Sequence, residues 1–184
     1  MFKLHLKKGM VYALMLIGVF MNHKSFADSQ KTAGVEDKIS QMGIVLPKVS
    51  APVANYLSFV RVGNMIFISG QLPMLDGKVN FAGKLGDNVS DEEGIKAAEL
   101  SALNIIAQLQ SAVGSLNKVK RCVKITGFVN STPDFINHSK IINGASDIIV
   151  KIFGDNGKHA RAAIGVSSLP LGAAVEIEAI FEVE

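Results

Sequence analysis

The sequence predicts an α+β fold: a single mixed sheet with two helices packed on one of its faces. Three observations carry that expectation. Two long segments repeat apolar residues at helical spacing, and several shorter ones alternate apolar and polar residues at the period of a strand. Turn and capping residues separate them and give the order β-β-α-β-α-β-β. With only two helices available, one face of the sheet is left without a helical cover.

The first strand pair falls in "YLSFVRVGNMIFISGQLP", where Val60 and Val62 precede a Gly63-Asn64 turn and Met65 to Ile68 follow it. The second strand ends at Ser69-Gly70-Gln71, and Pro73 stops the pairing. Residues 74–90, "MLDGKVNFAGKLGDNVS", read as glycine-rich loop. The first helix opens at Ser90, which with Glu93 makes a capping box, while Asp91 and Glu92 suit the positive end of the helix dipole. Ile95, Ala98, Ala102, Ile105, Leu109 and Val113 share one face, and Gly114 closes the helix.

A strand over 119–129 follows. Thr132-Pro133-Asp134 then reads as the start of the second helix, with threonine as cap and proline in the first helical position. Ile141, Ile142, Ile148, Ile149, Ile152 and Phe153 form its apolar side; Gly144 reads as an interruption and Gly154 as the end. Two strands finish the chain, at about 160–167 and 173–183. Val175, Ile177, Ala179, Phe181 and Val183 lie on one face of the last, and Glu176, Glu178 and Glu182 on the other. The uncovered sheet face is expected to carry Arg161, Glu176 and Glu178. Charges there need partners, either each other or a ligand.

The first 27 residues have the three-part pattern of a secretory signal peptide: Lys3, Lys7 and Lys8, then the apolar run "VYALMLIGVFM", then Ser25-Phe26-Ala27. Cleavage after Ala27 would place the protein in the periplasm or outside the cell, with no stable membrane span; an uncleaved anchor is the alternative. The run is shorter than the roughly 20 residues a spanning helix needs. Residues 28–41 read as a polar linker that begins a short helix, and 42–184 as the folded domain.

The full chain has a formal charge of +3. Residues 1–27 hold four lysines and no acid, so the remainder carries 15 basic side chains against 16 acidic, a charge of −1. That balance argues against nucleic acid as a partner. Cys122 is the sole cysteine and reads as a small core residue, so no internal disulfide forms. No metal-ligand spacing is present; His138 reads as a solvated helix residue and His159 as a loop residue near a glycine. Asp91, Glu92 and Glu93 belong to helix-start chemistry.

"GNMIFISGQLP", "RCVKITGFVNSTPDF" and "ARAAIGVSSLPLGAAVEIEAI" together resemble the RidA/YjgF/YER057c/UK114 family, whose fold is called chorismate mutase-like. The resemblance spans about residues 42–184, and "NGASDIIVKIFGDNGKHARAAIG" looks like a divergent branch of it. It implies a homotrimer whose sheets form a central barrel, with small carboxylate ligands bound in clefts between subunits. It also implies hydrolytic deamination of enamine or imine acids to 2-oxo acids and ammonia, with no cofactor and no metal. By that likeness Arg161 clamps the substrate carboxylate, as a planar guanidinium can, and Glu176 positions or activates the attacking water. Tyr56 closes the cleft, and Ser69 hydrogen-bonds the ligand. Two positions depart. Ala163 stands where the family often has cysteine: if only the backbone carbonyl holds the water, alanine serves, and if the thiol matters, activity is lost. The family asparagine of the second helix falls on Ser139 in an ungapped count, or near Asn143 with a small insertion. Ala163 and export both favour a second reading, a non-catalytic trimer that binds small carboxylic acids. A third, an endoribonuclease, fits poorly with the charge of −1.

Overall fold

The computed structural model describes residues 34–49 and 54–184, so the signal-peptide reading of residues 1–27 lies outside the described residues. The short helix expected near residue 40 is α1 (Val35–Gln41). It is docked rather than free. The Leu116 amide donates to Glu36 Oε1 at 3.0 Å, the Val35 amide donates to Asn117 Oδ1 at 2.7 Å, and Ile39 is buried.

Strands β1 (Phe59–Val62) and β2 (Met65–Gln71) pair antiparallel around the expected two-residue loop. Gly63 takes the positive φ (60°) that such a loop requires at its first position. Within the stretch read as loop, a small hairpin forms from β3 (Met74–Leu75) and β4 (Lys78–Val79). Asp76 and Gly77 turn it, both at positive φ, as a type I′ turn demands. The Asp-Gly pair was its local signal.

Helix α2 (Asp91–Val113) begins and ends where its caps predict. The Glu93 amide donates to Ser90 Oγ at 3.2 Å, and the Ser90 amide donates back to Glu93 Oε2 at 2.9 Å. Gly114 ends it at φ 76°. Strand β5 (Val119–Asn130) follows, and then helix α3 (His138–Phe153), capped at Asn137, five residues later than a cap at Thr132 would start it. The Thr132 amide is bonded to the Leu85 carbonyl, and the Phe135 amide closes a turn on the Thr132 carbonyl. That anchor holds residues 132–135 to the 81–89 loop, and the helix starts only once the chain has left it. The Asp134 carboxyl is held below the usual range, chiefly by the neighbouring Thr132 side chain.

Gly144 does not interrupt α3, which is continuous to Gly154. It is buried, and a Cβ there would overlap the Ile95 carbonyl of α2. The glycine lets the two helices touch backbone to backbone. Gly127 of β5 plays a similar part beneath Ile142.

Strands β6 (Ala160–Val166) and β7 (Val175–Val183) complete a five-stranded mixed sheet in the order β1-β2-β7-β5-β6. All its pairs are antiparallel except β5 with β6, which the α3 crossover makes parallel. Both long helices lie on one face, over Ile66, Ile68, Cys122, Ile125, Val175, Ile177 and Phe181, all buried. Burial pushes the Cys122 thiol up to about 12, in keeping with a core residue.

The helix contact makes a test. Gly144→Ala should lose about 1–3 kcal/mol in urea unfolding, through overpacking, despite alanine's better helix propensity. A neutral or stabilised variant would show that α2 and α3 part freely.

Candidate functional site

Arg161 stands second in β6, an edge strand, and is exposed. In the parallel register it pairs with Ile125, and Ala163 pairs with Gly127. Paired residues point to the same side. Ile125 is buried under the helices, so Arg161 and Ala163 lie on the helix side of the sheet. The expectation that Arg161 shares the open face with Glu176 and Glu178 is therefore corrected. Its physical cause is the register of β6 against β5, which sets Arg161 level with the buried Ile125.

Helix α3 receives the guanidinium. Nη1 donates to Asn143 Oδ1 at 2.8 Å and to Ser146 Oγ at 3.1 Å. These two side chains are three residues apart, one helical turn, and so present adjacent acceptors. Of the two positions considered for the family asparagine, Asn143 is the one that touches Arg161; Ser139 lies exposed a turn earlier. Among the described residues no carboxylate pairs with Arg161. Its Nε and Nη2 edge, the fork that suits a carboxylate, makes no hydrogen bond among them.

Glu176 lies on the open face, level with Phe128 of β5. It is half-buried. Burial raises its carboxyl above the usual range, and neighbouring Glu178 raises it further. Its side chain runs over Gly70, where a Cβ would strike the carboxylate. The β2–β7 register shifts between Ile68 and Gln71, at this point. Ser69 is next to it, but its hydroxyl already donates to the Leu57 carbonyl at 2.7 Å. Ser69, Lys124, Thr126 and Glu178 line a shallow groove of about 250 Å³ on the open face. Tyr56 is 51% exposed, and its amide donates to the Ala54 carbonyl.

The structure thus gathers Arg161 with Asn143 and Ser146, and Glu176 with Gly70 and Glu178. It does not bring the two groups together in one chain, because they occupy opposite faces of the sheet. Ser146 was not singled out by the sequence; its signal was a polar residue one turn from Asn143 on the same helix. His138 is partly buried rather than solvated. Its Nε2 lies 3.2 Å from Ser131 Oγ, its ring meets Phe135 edge to face, and Gly165 leaves room for it. Asp91 binds Lys140 at 2.8 Å and Glu93 closes the helix cap, in line with their helix-start reading. Among the described residues no three His, Cys, Asp or Glu side chains cluster as a metal site would require, and no helix is long and apolar enough to cross a membrane.

This geometry can be set beside known proteins. The family model described as "YjgF/chorismate mutase-like, putative endoribonuclease" matches residues 36–182, and the chain belongs to that family. It is 46% identical over 149 residues to Protein TCP17 of Trypanosoma cruzi, covering 80% of this chain and 93% of that one. The crystal structure of Atu1372 from Agrobacterium tumefaciens, a protein of unknown function, is 44% identical with a TM-score of 0.76, over 82% of this chain and 92% of that one. A protein of Dermatophagoides farinae named 2-iminobutanoate/2-iminopropanoate deaminase is 28% identical over 141 residues, covering 77% of this chain and 95% of that one.

The raised Glu176 carboxyl has a consequence for stability. Folding favours its neutral form, so the folded protein holds the proton to higher pH than the unfolded chain does. Stability then falls as pH rises through the carboxylate range. Glu176→Gln removes this step. The variant should melt above the wild type at about pH 7 and converge with it at about pH 4. Parallel melting curves across that range would contradict the assignment.

Proposed function

We propose that the protein hydrolyses small enamine or imine acids to 2-oxo acids and ammonia, acting as a homotrimer with the site between copies. The single observation that carries this reading is the guanidinium of Arg161, held at Nη1 by α3 and open along Nε and Nη2. A carboxylate can dock there with two parallel bonds. Glu176, half-buried with its carboxyl pushed above the usual range, suits a residue that holds water and accepts a proton. A protonated imine is already electrophilic, so a held substrate and a held water supply most of what its hydrolysis needs.

A second copy is part of the proposal, because Arg161 and Glu176 cannot meet within one sheet. The open face supports it: Val60, Val62, Phe67 and Ile164 are exposed there although apolar. For the reaction itself, the likeness to a protein named 2-iminobutanoate/2-iminopropanoate deaminase gives support. The proposal also keeps export by residues 1–27, with a periplasmic or secreted product. Ala163 favours the second reading, a trimer that binds small carboxylic acids without turnover.

The readings separate in one assay. 2-Aminoacrylate is generated by a coupled enzyme, and pyruvate release is followed with purified protein. Wild type should accelerate release. Arg161→Ala should lower kcat/KM by about 10- to 100-fold, the worth of a charge-assisted hydrogen bond of about 1.5–3 kcal/mol. Arg161→Lys should recover only part of that, lacking the planar fork. A wild type that is inert yet binds pyruvate establishes the binding reading, and one that does neither removes both.

A further inference from the structure

We propose that His159 and Ser146 are positioning residues that fix the Arg161 guanidinium through a directional hydrogen-bond relay; this rests on reading Arg161 as a carboxylate clamp. The relay begins at the backbone. His159 Nδ1 lies 2.6 Å from the Gly157 carbonyl oxygen, which can only accept. The proton is therefore on Nδ1, and in the neutral imidazole Nε2 bears the lone pair. Ser146 Oγ lies 3.1 Å from Nε2 and donates its one proton there. Only lone pairs then remain on Oγ, and one of them accepts from Arg161 Nη1 at 3.1 Å. Asn143 Oδ1 accepts the second Nη1 proton at 2.8 Å.

Both protons of Nη1 are thereby committed, and the guanidinium cannot turn about its own bonds without breaking one of them. The free Nε and Nη2 edge keeps one orientation before any ligand arrives. A long arginine otherwise loses rotamer entropy on binding, and holding it beforehand strengthens the complex. The backbone is shaped for this contact. Residues 154–157 form a tight turn beneath the last turns of α3, where a Cβ at Gly157 would overlap the Ile149 carbonyl. That close approach brings His159 level with Ser146. His159 is thus more than a loop residue, although its neighbour is the expected glycine.

Two replacements of the imidazole discriminate the role. Glutamine places a carbonyl oxygen near the Nε2 position and can accept from Ser146. Asparagine places an amide N–H near the Nδ1 position and can bond Gly157 only. Two readouts are taken on each variant: the rate of Arg161 guanidinium rotation by ¹⁵N NMR, and pyruvate affinity by calorimetry. The relay predicts slow rotation in wild type and in His159→Gln, with affinity within about twofold of each other. It predicts fast rotation in His159→Asn and in Ser146→Ala, with affinity weakened about tenfold, the cost of one lost hydrogen bond near a charge. Combining Ser146→Ala with His159→Asn should add nothing further.

If His159→Asn keeps slow rotation and His159→Gln loses it, the imidazole serves the 154–157 turn alone and the relay is overturned. Fast rotation in wild type overturns it as well. If wild type rotates slowly, Ser146→Ala frees it and pyruvate does not bind, the relay stands and the carboxylate clamp fails.

Discussion

The parallel pairing of β6 with β5 governs everything that the candidate site can do. Parallel neighbours require a crossover, and α3 supplies it. The crossover lays α3 beside the strand it feeds. The register then sets Arg161 level with Ile125, on the side where α3 lies. Had β6 slipped by one residue, Arg161 would face the open side and find no acceptor on α3. Asn143 and Ser146, one turn apart, would be left without a cation.

The same register separates Arg161 from Glu176. The last strand pairs antiparallel with β5 and alternates cleanly, so its even-numbered residues leave the helix side. Glu176 therefore emerges on the open face, two strands from the edge that carries Arg161. Neither group neutralises the other. The cation remains unpaired by any described carboxylate, and the acid has its charge made costlier by Glu178. Such a pair of unmet electrostatic demands on opposite faces suits a site completed from outside the chain, the arrangement proposed above.

Much of the fold was legible because its signals were local. Ser90 with Glu93, Gly114, the Gly63-Asn64 turn and the alternation from Val175 to Val183 each act within a few residues, and each does in the structure what its chemistry requires. The misreadings came from partners distant in sequence. Thr132 resembles a helix cap, but Leu85 claims its amide. Gly144 resembles a helix break, but its role is set by Ile95, far back in α2. His138 resembles a surface residue until Gly165 opens a place for it. At the site, Arg161 and Glu176 could be picked out by residue type and likeness. The face of Arg161 could not, because alternation gives a strand's period and leaves its phase to the neighbour it pairs with. Asp76-Gly77 is the exception, a local turn signal masked by the glycine-rich stretch around it.

Glycine accounts for how the two halves of the site are held on so small a scaffold. Gly70 lets the Glu176 carboxylate lie flat on β2, which buries it enough to raise its pKa while leaving one side toward solvent. Gly157 lets the 154–157 turn reach α3, which sets His159 against Ser146. At Gly70 the missing side chain leaves room for a carboxylate, and at Gly157 for a backbone carbonyl of α3. Each substitution of a larger residue would move that group rather than merely crowd the core. The glycines therefore act on electrostatics as much as on packing: one tunes an acid, and the other steadies a cation.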